Sequence, residues 1–236
     1  MKNVFNFIRF ILGLSLLVAM VYLSLSNMGE KYCRLSELTV EMDENAFVTK
    51  EVIVDYLIAN TLHPDSIKLD EVSFRSIEEL LIHHPSVKKA TVYSDMNGKV
   101  FINVDQRKPI VRIQNEKSGY YLDEDGLRMP LSTEYTARML LVTGEVNTLE
   151  ETDLFNLIDI IHKTEFLKKQ IAQIDVKDSE LLMLTRIGEE LEFGEIKNVE
   201  EKFEKLMLYY EKGNSQNKEY RTLNLKYKNQ IVCTKK

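Results

Sequence analysis

Apolar residues are unevenly spread along the chain. Phe10 to Leu25 reads FILGLSLLVAMVYLSL, with no charge and only Ser15 and Ser24 polar apart from a tyrosine ring. As a helix this run rises about 24 Å, and taking in Val4 to Arg9 lengthens it to about 33 Å, enough to cross a hydrocarbon core of about 30 Å. Arg9 then has to snorkel toward the headgroups. The segment is apolar all round, which separates it from a helix that packs one face on a globular core. It predicts a tail over 1–9 and a single transmembrane helix over 10–28. Lys2, Arg9 and the amino terminus precede it, and Lys31 and Arg34 follow, a narrow bias for the N-terminus inside. The remainder then faces an extracytoplasmic space. Ser24-Leu25-Ser26 also offers a small-x-small site, so a cleaved signal peptide stays open. Glu30-Lys31-Tyr32 before Cys33 lacks the small and apolar residues that lipid attachment needs.

After a polar linker, Glu30 to Arg34, the period changes. Leu38, Val40 and Met42 alternate within Leu35 to Met42, the signature of a half-buried strand. Thr49 can cap a helix to about Asn60 with Val52, Ile53, Tyr56 and Leu57 at helical spacing. His63-Pro64-Asp65 is a turn. Ser76-Ile77-Glu78-Glu79 has the form of a capping box before a short helix through Leu80, Leu81 and His83, and Pro85 stops it. Val87 to Ser94 then presents Ala90 and Val92 on one face. Lys99 to Gln106 presents Val100, Ile102 and Val104. Asn97-Gly98 between them predicts a hairpin with a type I′ turn. The order is β-α-α-β-β, and a three-stranded sheet must bury one face under its two helices. That is the arrangement of a POTRA module.

The local sequence agrees. His84-Pro85-Ser86-Val87-Lys88-Lys89-Ala90-Thr91-Val92 resembles the hPxVxxAxV run of POTRA domains. Gln106-Arg107-Lys108-Pro109-Ile110-Val111 resembles the xRxPIA junction of the bacterial cell-division family FtsQ/DivIB. Gly119-Tyr120-Tyr121-Leu122-Asp123-Glu124-Asp125-Gly126 is similar to its yLVDxxG hairpin. Leu141-Val142-Thr143-Gly144 is similar to its LPxLxG, and Leu223-Asn224-Leu225-Lys226-Tyr227 to its vDLRY. These runs and the N-terminal span cover nearly the whole chain, in the family's order. The long polar tail of many relatives is absent, as in Bacteroidetes-like members.

The resemblance implies an α+β ectodomain: a POTRA domain over 35–108 and a C-terminal, mostly antiparallel β domain with helices over 109–236. The residue pattern of this second part agrees. Strands flank the Asp123–Gly126 turn. Thr148-Leu149-Glu150-Glu151 reads as a capping box before a helix to about Lys163, with Leu154, Ile158 and Ile161 on one face. Ile171 to Val176, Leu181 to Arg186 and Glu190 to Phe193 read as strands. Asn198 is placed to cap a helix striped by Val199, Phe203, Leu206, Met207 and Tyr210, ended by Gly213. In Tyr220 to Tyr227, Leu223, Leu225 and Tyr227 point inward and Thr222, Asn224 and Lys226 outward. Lys228-Asn229 can turn, since Asn tolerates the left-handed region. Ile231 to Thr234 is a last short strand. Gln230 stands where the family usually has Gly.

Composition narrows the function. The chain has 236 residues, net charge −6, 44% hydrophobic and 29% charged residues. The acidity argues against a nucleic-acid binder, and mean hydropathy −0.23 against a polytopic membrane protein. Two Cys cannot build a disulfide scaffold or a four-ligand zinc site, although Cys33 and Cys233 could pair with each other. No G-x-S-x-G, Gly-rich phosphate loop or H-E-x-x-H occurs. His83 and His84 end a helix, and Asp159 and His162 form an i, i+3 surface pair. The Asp-Glu-Asp-Gly turn lacks the further ligands of a calcium loop. No catalytic site, metal, cofactor or small-molecule substrate is indicated.

Binding remains. A strand at the very C-terminus is an edge, whose unpaired N–H and C=O groups can take up a partner strand, or which can simply close the domain behind Lys235 and Lys236. The resemblance implies the first. FtsQ-like proteins are single-pass inner-membrane scaffolds at the division septum, with a periplasmic C-terminal domain that receives FtsB, itself paired with FtsL. It implies partner contacts at Lys226, Tyr227, Ile231, Val232 and Thr234. Lys226 stands where the family has Arg and lacks the bidentate fork. The alternative is a POTRA-containing periplasmic chaperone or transport accessory released by signal cleavage.

Overall fold

The computed structural model describes residues 2–29, 31–41, 47–115, 118–131, 138–213 and 220–235. Met42, Glu30 and Lys236, all used in the expectations above, lie outside the described residues, as do the side chains of Ser24 and Ser26. The chain divides into two compact units, Met1–Gln106 and Arg107–Lys236.

The N-terminal run forms helix α1, Lys2–Gly29. Nothing before Gly13 breaks helical continuity, so the expected tail forms the helix's first turns. Asn6–Leu23 has mean hydropathy 2.0 and none of its residues is buried in the rest of the protein. By length and composition, α1 can cross a membrane.

The rest of the first unit has the order β1 (Arg34–Glu41), α2 (Lys50–Ala59), α3 (Phe74–His83), β2 (Val87–Ser94) and β3 (Lys99–Gln106). The sheet order is β1-β3-β2, with β1 parallel and β2 antiparallel to β3. Val100, Ile102 and Val104 are fully buried, and Leu38, Val40, Ala90 and Val92 close around them from the neighbouring strands. Ile53 and Leu57 of α2 and Ile77 and Leu81 of α3 cover that face. Each such side chain contributes about 1.5–3 kcal/mol by leaving water. Val52, on the expected stripe of α2, is exposed instead.

Two local expectations are corrected. The cap of α3 is Ser73, whose Oγ accepts from Ser76 N–H at 3.2 Å. Ser76 therefore lies inside the helix, and Glu79, which would close the box, pairs with Arg75 at 2.8 Å instead. The β2–β3 turn is not type I′. Gly98 has φ +81°, but Asn97 does not have positive φ. Asp95 Oδ1 accepts from the N–H groups of both Asn97 and Lys99, and that bracket selects a turn needing one left-handed residue.

The second unit is a nine-stranded sheet in the order β12-β11-β10-β9-β8-β7-β4-β5-β6. Its strands are β4 (Pro109–Gln114), β5 (Gly119–Asp123), β6 (Arg128–Pro130), β7 (Leu140–Gly144), β8 (Ile171–Lys177), β9 (Glu180–Thr185), β10 (Glu190–Gly194), β11 (Tyr220–Asn224) and β12 (Val232–Lys235). Five pairings are antiparallel; β4–β7, β7–β8 and β10–β11 are parallel. One face packs on helices α4 (Glu151–Lys163), α5 (Glu165–Gln170) and α6 (Val199–Leu208). Leu154, Ile158 and Ile161 are buried, as the periodicity predicts, and so are Phe203 and Leu206.

The expected caps of this unit do not form. Thr148 ends a 3₁₀ turn and gives its hydroxyl to Glu145 O at 2.7 Å, so Glu150 starts α4 without a side-chain bond. Asn198 precedes α6 in the left-handed region and caps it only through its carbonyl, which accepts from Lys202 N–H. The end of α6 passes into a π-helical turn, Tyr209–Gly213. Asp159 pairs with Lys163 at 2.6 Å, one residue beyond His162. Cys33 and Cys233 are free thiols: Cys33 is buried in the first unit's core and Cys233 lies on β12.

Candidate partner-binding edge

β12 is the last strand of the sheet, and among the described residues no strand lies beyond it. It pairs antiparallel with β11, Leu223 opposite Cys233 and Asn224 opposite Val232. In such a ladder alternate residues turn their N–H and C=O away from the partner, so one side of β12 carries unpaired backbone groups.

Several interactions fix this edge. Leu223 and Leu225 are fully buried and anchor β11. Leu225 N–H donates to Glu192 O at 3.0 Å, extending the contact with β10. The chain then turns through Asn229, which adopts φ +63° as its side chain tolerates. Lys205 of α6 donates to Tyr227 O at 2.7 Å and ties this turn to the helix layer. Beneath β12 lie Tyr209, Tyr210 and Tyr220, with ring centroids of 5.4 Å between the first two and 6.4 Å between Tyr209 and Tyr220. Burial pushes the Tyr209 phenol up to about 12 and raises the Cys233 thiol. Tyr210 donates to Glu189, whose side chain is buried with it. The Tyr209 and Tyr210 phenols and the Cys233 thiol therefore stay protonated and neutral on the inner side of the edge.

The residues expected to bind a partner separate into two sets. Tyr227 does not point inward: the strand stops at Asn224, and Tyr227 sits in the turn with half its surface exposed. Val232 and Thr234 are exposed on the outer sheet face, while Ile231, just before β12, packs partly on the core. Lys226 is exposed and pairs within its own unit. Its ammonium pairs with Glu180 at 2.5 Å, and its stem covers Gly194, where an added Cβ would meet Lys226 Cγ at 3.0 Å. It lines a groove of about 350 Å³ with Asp175, Glu180 and Glu192. The pairing register shows what local sequence does not: Val232 continues a row through Asn224 and Glu192 to Leu182, and Thr234 one through Thr222 and Glu190 to Leu184. Leu182 and Leu184 are exposed, so the outer face beside the edge is partly apolar.

The profile of a family described as FtsQ/DivIB, C-terminal related, matches residues 108–234, more than half of the chain. The chain belongs to the FtsQ/DivIB family. A POTRA-like domain profile matches residues 31–105, and no curated protein matches the chain. The FtsQ/DivIB family is one of non-enzymatic division scaffolds, and the matched region runs into β12.

The runs that resemble the family have structural causes here. Arg107 of the junction pairs with Asp123 of the β5–β6 hairpin at 2.9 Å, both well shielded. Asp123 Oδ1 also accepts from Asp125 and Leu127 N–H at 3.0 and 2.8 Å. Gly144 has φ +86°, and an added Cβ would lie 2.2 Å from Val176 O. These residues hold the FtsQ/DivIB sheet together, whereas the candidate binding residues lie at its end, all but Ile231 exposed.

Proposed function

We propose that this protein is a membrane-anchored division scaffold that holds FtsB/FtsL-like partners by adding a partner strand to β12. The observation that carries it is the unpaired edge at the end of the FtsQ/DivIB-matched sheet. In this reading α1 is the anchor; the narrow cation bias before it supports both units lying on the far side of the membrane, in the periplasm, and the family supports a place at the septum. A partner strand beside β12 would set alternate side chains along the rows that end at Val232 and Thr234 and would reach Tyr227 at the turn. Lys226, exposed beside that turn, braces it through its pair with Glu180.

The test is co-purification of the full chain in detergent with the FtsB/FtsL-like pair of the same cell. Tyr227→Ala removes an exposed ring and leaves the core intact, and an interface anchor of this kind is worth about 2 kcal/mol, or roughly thirtyfold in affinity. Deletion from Ile231 onward should abolish capture. Full affinity in both variants refutes the proposed edge. A mature protein that begins near Ser26 instead of Met1 refutes the anchor.

A further inference from the structure

The chain leaves α1 at Gly29 and is fixed to the folded part of the first unit from Lys31 onward. Lys31 Nζ donates to Met96 O at 2.9 Å, and Lys31 O accepts from Leu69 N–H at 2.8 Å. Arg34 N–H donates to Gly98 O at 2.8 Å. Tyr32 O lies so close over Gly98 that an added Cβ would be 2.7 Å from it. The β2–β3 turn is thus clamped against the segment that emerges from the helix. Two residues extend at most about 7 Å, so this turn cannot lie far from the end of α1. β1 and β3 are parallel, with Arg34 opposite Lys99, so both strands start at this end and run away from it.

This end carries an unusual surface. Outside α1, Met96 at 70% and Tyr32 at 64% are the most exposed large apolar side chains among the unit's described residues. Tyr93, stacked on Phe101 at 5.1 Å, is exposed close by. Arg34 and Lys99 stand side by side on the same rim and make no ion pair among the described residues. Asp95 and Asp65 at this end are engaged by backbone N–H groups of Asn97 and Lys99 and of Leu35, the Lys99 charge also favours the Asp95 carboxylate, and Asp70 and Glu71 follow Leu69 nearby. Tyr with an apolar body and polar tip, beside Arg and Lys, is the side-chain set of a membrane interface, and the headgroup layer beyond the hydrocarbon is about 5–8 Å thick.

Resting on the anchor reading of α1, we propose that the turn Asp95–Gly98 together with Tyr32 is a lipid-contacting foot. Met96 and Tyr32 enter the headgroup layer, and Arg34 and Lys99 meet lipid phosphates. The foot sets the height and tilt of the POTRA-like unit over the bilayer.

The test uses the full chain in nanodiscs of phosphatidylcholine and phosphatidylglycerol, with Met96, Ile82 or Val18 replaced by p-benzoylphenylalanine and lipid adducts counted by mass spectrometry. Ile82 is exposed near the end of α3, beside the far end of β2, roughly 23 Å along the strand from the turn. Val18 lies within the apolar span. The expected result is lipid adducts at 18 and 96, those at 96 several-fold above those at 82. Adducts at 18 with 96 no higher than 82 overturn the foot and leave the anchor standing. Absence of adducts at 18 overturns the anchor and the foot with it.

Discussion

Replacement of Asp123 tests whether the family-like hairpin is a structural clamp. Asp123 is 1% exposed and takes three hydrogen bonds: from Arg107 Nη1, from Asp125 N–H and from Leu127 N–H. Asp123→Ala removes the acceptor for all three and leaves the Arg107 guanidinium, itself largely covered, without its carboxylate. Breaking a buried pair in this way costs about 3–5 kcal/mol. Asp123→Asn keeps one oxygen for the turn but sets an amide N–H₂ against the Arg107 guanidinium in place of its acceptor, for about 2 kcal/mol. With a urea slope of about 2 kcal/mol/M, the second unit's midpoint should fall by roughly 2 M for Ala and about 1 M for Asn. Urea titration of the full chain in detergent, read by hydrogen exchange in β5 and β6 peptides, reports this unit separately from the first. A shift below about 0.5 M for Ala, or an equal loss for both variants, refutes the clamp.

Further outcomes follow from the same geometry. Gly144→Ala forces a Cβ against Val176 O in a left-handed conformation and should cost about 3 kcal/mol or more, seen as a large fall in thermal midpoint. His84 is half-buried, edge-on to Tyr56, and its Nδ1 accepts from Ser86 N–H; burial holds its pKa below the ordinary value of 6.5. The folded state therefore resists protonation, so its contribution is complete above the unfolded pKa and is lost as pH falls through the folded one. His84→Gln should flatten the first unit's loss of stability from about pH 7 to 5, measured by thermal melts across that range. Lys202 donates to Phe193 O and Glu195 O at 2.9 and 2.8 Å at the end of β10, so Lys202→Met strands two carbonyls and should cost about 2–3 kcal/mol in the same urea assay.

Local patterns were legible where local forces dominate. The alternation in β2 and β3, the stripe of α4 and the apolar run of α1 each follow from one element's own period, and the structure keeps them. Fine detail went wrong where two local options compete. Ser73 and Ser76 can both cap α3, and only the structure shows that Ser73 takes the cap and that Glu79 pairs with Arg75. Thr148 was available for a side-chain cap, but the preceding 3₁₀ turn takes its hydroxyl. At the candidate edge, alternation carried Tyr227 inward because it has no term for where a strand stops. The chain leaves the ladder after Asn224, and Tyr227 goes to solvent.

The sequence by itself determined that an apolar N-terminal helix precedes two α+β units and that a strand lies at the C-terminus, because burial periodicity and turn chemistry act over a few residues. Only the tertiary structure decided that β1 runs parallel to β3, that β12 lies at the sheet's end, that Lys226 is held by Glu180, and that Met96 meets the segment leaving the helix. Each of these joins residues far apart in the chain. They are set by which strands pair and in what register, and no local period encodes that choice.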